Sequence, residues 1–134
     1  MLFALRQLEE TEKISPQFEK RGGLLPVAVQ EISTGQILML AYINEEAFSY
    51  TLENRVAAFF STSRNKMWVK GETSGNYLTV DQIFIDCDQD AVVYKVTLTK
   101  GGACHTLNKQ GENRKACFYR KININQKTFD FLEK

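Results

Sequence analysis

Residues 80–94 read VDQIFIDCDQDAVVY, and the fold turns on how this run divides. Both flanks are apolar and β-branched, so Tyr77 to about Asp88 and Ala91 to Thr99 read as two strands. Between them Asp86-Cys87-Asp88-Gln89-Asp90 places three carboxylates two residues apart. On a strand, side chains alternate faces, so Asp86, Asp88 and Asp90 share one face and Cys87 points to the other. Carboxylates sharing a face repel unless a cation sits among them, and oxygen-only ligands suit Mg²⁺ or another hard cation. A solvated acidic turn is an equal reading of the same five residues.

Working outward, Leu25 to Ile32 and Gln36 to Tyr42 read as strands joined by the turn residues Ser33-Thr34-Gly35. Asn44 is the expected N-cap of a helix running to about Glu53, with Glu45 and Glu46 in its first turn. Val56 to Thr62 and Met67 to Lys70 are predicted strands around the turn Ser63-Arg64-Asn65-Lys66. Gly71-Glu72-Thr73-Ser74-Gly75-Asn76 is a polar loop. Downstream, Gly101-Gly102 turns the chain into Ala103-Cys104-His105-Thr106. A polar segment, Asn108 to Lys115, follows, and Cys117-Phe118-Tyr119-Arg120 restarts a strand. Leu2, Leu5 and Leu8 predict an N-terminal helix over residues 2–13, ended by Ile14-Ser15-Pro16. The pattern is one β-rich α+β domain with one internal and one N-terminal helix.

The chain has 134 residues, 43% hydrophobic and 25% charged, with a net charge of +1. That suits a soluble globular domain with a real core. It gives no global electrostatic case for nucleic acid or membrane. Ile37 to Tyr42, the longest apolar run, is too short to span a bilayer. The N-terminus lacks a basic n-region and a cleavage site, so the cytoplasm is the expected compartment. Three cysteines, an odd number, argue against a disulfide framework.

Cys87, Cys104 and Cys117 could form a three-thiolate zinc set, leaving a fourth position for water. None of their spacings is that of a zinc knuckle, and buried apolar thiols remain the alternative. His105, the one histidine, is a candidate proton-transfer group or an ordinary hydrogen-bonded side chain. In a strand it would face away from Cys104. The loop from Lys70 to Gly75 offers amides, hydroxyls and a lysine that could cradle phosphate, beside Arg64, Lys66 and Trp68. It lacks Walker spacing and reads equally as a hairpin loop.

In order along the chain, Ser63-Arg64, Trp68-Val69-Lys70-Gly71-Glu72-Thr73-Ser74-Gly75-Asn76, Asp86-Cys87-Asp88-Gln89-Asp90, Ala103-Cys104-His105-Thr106 and Cys117-Phe118 resemble the phosphoribosyl-AMP cyclohydrolase family. Pro26 to Gln30 and Leu38 to Ala47 fit it too, and the likeness spans about residues 24–120. The resemblance implies one domain over residues 1–134, with 1–22 an N-terminal helix and extension. Its expected fold is β-rich α+β: a curled mixed or antiparallel sheet with one or two short helices, in an intertwined homodimer. It implies zinc held by Cys87, Cys104 and Cys117 drawn from two chains, and Mg²⁺ at Asp86, Asp88 and Asp90, the two metals meeting near one substrate. It implies hydrolysis of the N1–C6 bond of phosphoribosyl-AMP by zinc-bound hydroxide. The product is the phosphoribosyl-formimino-aminoimidazole carboxamide ribotide, and the step is the third of histidine biosynthesis. His105 is the candidate for proton transfer. Arg64, Trp68, Lys70, Glu72 and Ser74 are the candidate substrate contacts.

One departure stands out. The family pattern runs C-H-T-G-x-x-S-C-F, whereas Leu107 follows Thr106 here, Ala116 replaces the serine, and Cys117 comes six residues late. The added segment, about Asn108 to Lys115, is expected to bulge outward at modest entropic cost. It motivates the alternative of a zinc-dependent hydrolase or deaminase acting on another purine nucleotide. A third alternative, a non-catalytic β-rich nucleotide- or RNA-binding module, would use Lys109, Arg114, Lys115, Arg120 and Lys121 near Phe118 and Tyr119.

Overall fold

The structure, a computed structural model, describes residues 2–134. The order is α1 (Leu2–Glu10), a 3₁₀ turn (Glu19–Arg21), β1 (Leu25–Glu31), β2 (Ile37–Ile43), α2 (Glu45–Asn54), β3 (Ala58–Ser61), β4 (Lys66–Val69), β5 (Leu78–Ile85), β6 (Val92–Leu98), β7 (Arg120–Asn123) and β8 (Thr128–Phe131). It is an α+β, strand-rich fold, as the sequence pattern predicts. None of the described helices is long and apolar enough to cross a membrane.

The main sheet is mixed, in the order β2-β1-β6-β5. β1 pairs antiparallel with β2 and parallel with β6, and β5 pairs antiparallel with β6. Strict alternation buries Leu25, Val27 and Val29 of β1 and Val92, Tyr94 and Val96 of β6 on one face. Against that face pack Ala47, Phe48 and Thr51 of α2 and Ala58 and Phe59 of β3. Asn44 caps α2 as predicted, its Oδ1 accepting from the Ala47 amide at 2.9 Å. The opposite face keeps Leu40, Tyr42 and Phe84 exposed.

Several elements differ from the sequence reading. The helix stops at Glu10, where the Thr11 hydroxyl takes the Lys13 amide at 3.1 Å and offers the backbone an alternative to another helical turn. The strand expected over Val56–Thr62 shortens to β3, leaving Val56 in an isolated bridge to Thr79. β5 ends at Ile85, and a bulge at Asp81 breaks its alternation midway. The strand expected at Cys117 starts only at Arg120. A second partner, β8, makes a C-terminal hairpin that the reading missed.

Candidate active site

The acidic quintet is a turn rather than a strand. Ile85 faces Val92 in the last β5–β6 pair, so residues 86–91 must reverse the chain. The Asp86 amide donates to the Ala91 carbonyl at 3.0 Å and the Gln89 amide to the Asp86 carbonyl at 3.1 Å. Gln89 takes the left-handed backbone at φ 55°. Asp86 Oδ1 accepts from the amides of Asp90 (2.9 Å) and Ala91 (3.1 Å), the competition by which aspartate favours turns over strands. The turn nonetheless gathers the carboxylates: one oxygen from each of Asp86, Asp88 and Asp90 lies within 4.8 Å of the others. The expected cluster is present, but strand alternation is not what forms it.

The protein's own cations already balance this cluster. Lys20 Nζ sits 2.8 Å from Asp90 Oδ2 and 3.1 Å from Asp88 Oδ2, and the Arg21 guanidinium reaches Asp90 at 3.0 Å. The Lys20 hydrogen bond, resisted by burial and helped by Asp88 and Arg21, holds the enclosed Asp90 carboxyl down at about 2. Burial pushes the Asp86 carboxyl up, against the two amides it accepts from. In donor type and spacing the triad suits a hard cation, which would have to displace Lys20. The sequence reading missed Lys20 and Arg21 because 68 to 70 positions of chain separate them from the acids they meet. Gln89 was missed as well. Its buried side chain accepts from the Ser15 amide at 2.7 Å and donates to the Lys13 carbonyl, tying the N-terminal extension to the turn.

At the other end of β6 the chain passes through Gly101-Gly102 into a loop with no regular strand. Cys104 is buried and His105 is exposed. Cys104 Sγ lies 2.9 Å from the Thr106 hydroxyl and accepts from the Thr106 amide at 3.4 Å. Cys117, thirteen residues beyond Cys104, returns to lie beside it. Burial opposes ionisation of Cys104, but the Thr106 hydroxyl and amide, the Cys117 thiol and the Arg114 charge outweigh it and lower its pKa. Cys117, exposed at the surface, is pushed up to about 11, first by the partial desolvation of its thiol and then by the neighbouring Cys104 charge. The pair therefore has one thiol whose proton is loosened beside one whose proton is held more tightly. Lys70 faces both, its own pKa lowered by burial against their attraction. Two adjacent soft donors with a weakened proton suit Zn²⁺ in chemistry.

Loop 71–76 meets the same end of the sheet. Gly71 has φ 89°, and a Cβ there would lie 2.4 Å from the Asn76 carbonyl carbon, so only glycine fits. Glu72 Oε2 takes the Val69 amide at 3.3 Å and Ser74 Oγ the Asn76 amide at 3.1 Å. The buried Asn76 donates to Asn113 Oδ1 at 3.2 Å, and Asn113 donates to the Cys104 carbonyl at 3.0 Å. This bridge brings Lys70 and Ser74 into one construction with the thiol pair. Trp68 is half-buried, its ring tilted at 44° against Phe59 with centroids 5.1 Å apart. Arg64 is exposed at the β3–β4 turn.

The predicted residues therefore form two groups. Cys104, Cys117 and Lys70 come together, with His105 adjacent in the chain. Cys87, exposed in a shallow cleft beside Leu8 and Thr11, stays with the acidic turn. The seven residues of β6 separate the groups, about 20 Å at ~3.3 Å per residue. Within one chain the carboxylates and the paired thiols thus lie apart, at opposite ends of β6.

The extra segment does not bulge freely. The Asn108 amide donates to the Glu112 carbonyl at 2.8 Å and Leu107 bridges to Asn113, so it closes into a tight hairpin. That hairpin lies against Gly102, where a Cβ would come 2.1 Å from the Arg114 carbonyl oxygen. With Asn76, Lys100, Gly101, Gly102 and Glu133, residues of the segment line an open cleft of about 500 Å³.

The model of the family described as phosphoribosyl-AMP cyclohydrolase matches residues 39–119, from within β2 to just past both thiols. Curated proteins of that name are similar over most of the chain. The Hyphomonas neptunium protein is 46% identical over 114 residues, covering 85% of this chain and 81% of its own. The Desulforapulum autotrophicum protein is 48% identical over 105 residues, covering 78% and 79%. That of Streptococcus mutans is 47% identical over 109 residues, covering 81% and 94%. With the paired thiols, the acidic turn and the Lys70–Asn76 loop inside the matched region, the chain belongs to the phosphoribosyl-AMP cyclohydrolase family, a family of hydrolases.

Proposed function

We propose that the chain hydrolyses the N1–C6 bond of phosphoribosyl-AMP, the third step of histidine biosynthesis, in an intertwined homodimer. In this reading Cys104 and Cys117 of one chain and Cys87 of the other hold zinc, and Asp86, Asp88 and Asp90 hold Mg²⁺. One observation carries it: two thiols are paired beside Lys70 while the third lies a strand's length away, so one chain alone supplies only two of three soft ligands. The exposed apolar sheet face, with Leu40, Tyr42 and Phe84, supports a second copy.

Zinc bound there would supply the Lewis acidity that makes water nucleophilic near neutral pH. The chain's own residues do the rest. The half-buried Trp68 offers an aromatic face to the purine. Arg64, Lys70 and Ser74 offer charge and hydrogen bonds to phosphate. Glu72 and the Gly71 turn hold that loop in shape. His105, exposed next to Cys104, can take or give a proton at the ring nitrogen without first leaving a packed core.

The test is turnover of phosphoribosyl-AMP, followed by ultraviolet absorbance, on chelator-stripped protein with Zn²⁺ and Mg²⁺ restored separately and together. Activity restored only by both is the expected result. Cys104→Ala should abolish turnover and lower zinc content while the fold survives; full zinc with retained activity refutes its ligand role. The cleft lined by residues 108–115 favours one second reading, a zinc hydrolase or deaminase of another purine nucleotide. It would be supported by background turnover of phosphoribosyl-AMP alongside hydrolysis of a different nucleotide.

A further inference from the structure

Twelve residues between two thiols would ordinarily let those thiols drift apart, yet four hydrogen bonds fix this segment to Glu133 and Lys134. The Lys115 amide donates to Glu133 Oε1 at 2.9 Å and the Asn108 side-chain amide to Glu133 Oε2 at 2.9 Å. Arg114 Nε donates to the Glu133 carbonyl at 3.1 Å, and the Lys109 amide to the Lys134 carbonyl at 2.8 Å. Glu133 thus holds both ends of the segment with one carboxylate. The tail is itself seated: the Leu132 amide donates to the Tyr119 carbonyl at 2.8 Å, and the Arg114 guanidinium stacks on the Tyr119 ring at 4.1 Å.

The segment passes this order to the thiols. The Lys115 carbonyl accepts the Ala103 amide at 2.9 Å, and the Arg114 carbonyl accepts the Cys104 amide at 3.0 Å. The Lys115 ammonium pairs with Glu31 at 2.7 Å, fixing the same residue to the end of β1. Two residues on, the Cys117 amide donates to the Leu38 carbonyl at 2.7 Å. The Lys115 amide, the Asn108 side chain and the nearby cations hold the Glu133 carboxyl below the usual range, so it is ionised at neutral pH. Charge strengthens both of the bonds it accepts.

We propose that Glu133 is a positioning residue for the Cys104–Cys117 pair, clamping the Asn108–Lys115 segment so that the two thiols stay together as metal ligands. The metal part of this rests on the reading given under Proposed function. The clamp part rests on the hydrogen bonds alone.

The test uses the full metal-free chain with Co²⁺ as probe and amide hydrogen exchange as an independent readout. Wild type should give thiolate-to-metal absorption in the near ultraviolet and slow exchange at Ala103 and Cys104. Glu133→Ala should raise the midpoint Co²⁺ concentration about tenfold, the lower end of the loss expected for an outer partner of a metal ligand. It should also speed exchange at those two amides, with the urea transition still cooperative. If Glu133→Ala does not accumulate folded, Glu133→Gln serves, because it turns an amide donor toward a donor and loses one bond. Asn108→Asp combined with Glu133→Gln reverses donor and acceptor across that contact. It should restore both readouts, which a merely damaged fold would not. An unchanged Co²⁺ midpoint in Glu133→Ala overturns the proposal whatever the exchange shows. If wild type gives no thiolate absorption, the metal reading fails, and the clamp is judged on exchange alone: unchanged protection then overturns it.

Discussion

Mixing two inactive variants tests the proposed shared site most directly. About 20 Å of β6 lies between the turn carrying Cys87 and the loop carrying Cys104. A zinc ion reaches sulfur at about 2.3 Å, so its thiolate ligands must lie within ~4 Å of one another. Cys87 therefore cannot complete the site of its own chain without unravelling the β5–β6 pair. Cys87→Ala and Cys104→Ala should each be inactive alone, since every site in either homodimer lacks one thiol. In a mixed dimer, one of the two sites draws Cys87 from the second variant and Cys104 and Cys117 from the first, and is intact. Random exchange makes about half the dimers mixed, each with one of two sites intact, so activity should recover to about a quarter of wild type in a twofold-symmetric dimer. The assay is phosphoribosyl-AMP turnover after co-refolding equal amounts, with each variant refolded alone as control. A mixture as inactive as its components, though shown to contain mixed dimers, would refute the two-chain site. So would appreciable activity in Cys87→Ala alone.

Other expectations follow from particular contacts. Asp88→Asn should raise the Mg²⁺ concentration needed for half-maximal activity while zinc content, measured by elemental analysis, stays near wild type; loss of zinc instead would break the separation of the two groups. Gly102→Ala puts a methyl 2.1 Å from the Arg114 carbonyl oxygen. It should cost about 2 kcal/mol in urea unfolding, in the range for overpacking, and should speed exchange at Cys104. Glu31 has its pKa lowered by the Lys115 hydrogen bond and then by Thr34. A folded carboxyl below its unfolded value stabilises above the unfolded pKa, about 4.3, and loses that contribution as pH falls through the folded value. The wild-type urea midpoint should therefore drop below about pH 4.3 more steeply than that of Glu31→Gln; parallel curves would show that the pair contributes nothing.

What the sequence disclosed followed local rules. Alternating Leu25, Val27 and Val29 gave β1, and Asn44 ahead of Glu45-Glu46 gave the start of α2, because periodicity and capping act over a few residues. Sequence alone left strand and turn equal for the acidic quintet, because β-branched flanks favour strand; the Asp86 side chain decides it by capturing two amides just beyond it and bending the chain. The thiols could be nominated, yet their grouping could not. Cys104 and Cys117 meet through Arg114 and Lys115, whose partners Glu31 and Glu133 lie far away in sequence. Lys20 and Arg21 on the acidic turn are the same kind of contact. β7 and β8 are almost wholly exposed, so their apolar residues show no buried periodicity to read.

The added segment between the thiols is compatible with an intact pair on energetic grounds. Twelve residues separate Cys104 from Cys117, against six in the family pattern. Doubling a loop costs only about 0.6 kcal/mol in closure entropy. Each hydrogen bond made by the segment contributes about 1 kcal/mol net, and those to the ionised Glu133 somewhat more. Four bonds to Glu133 and Lys134 therefore more than offset the added closure cost. The balance depends on the tail being present and seated on Tyr119, so the thiol pair in this chain leans on residues well outside the matched region 39–119. Substitutions at Glu133 or Tyr119 should accordingly loosen the loop holding Cys104 more than equal changes elsewhere in the exposed β7–β8 hairpin, such as Ile122→Thr. The order of exchange rates at the Cys104 amide across those three variants reads this out directly.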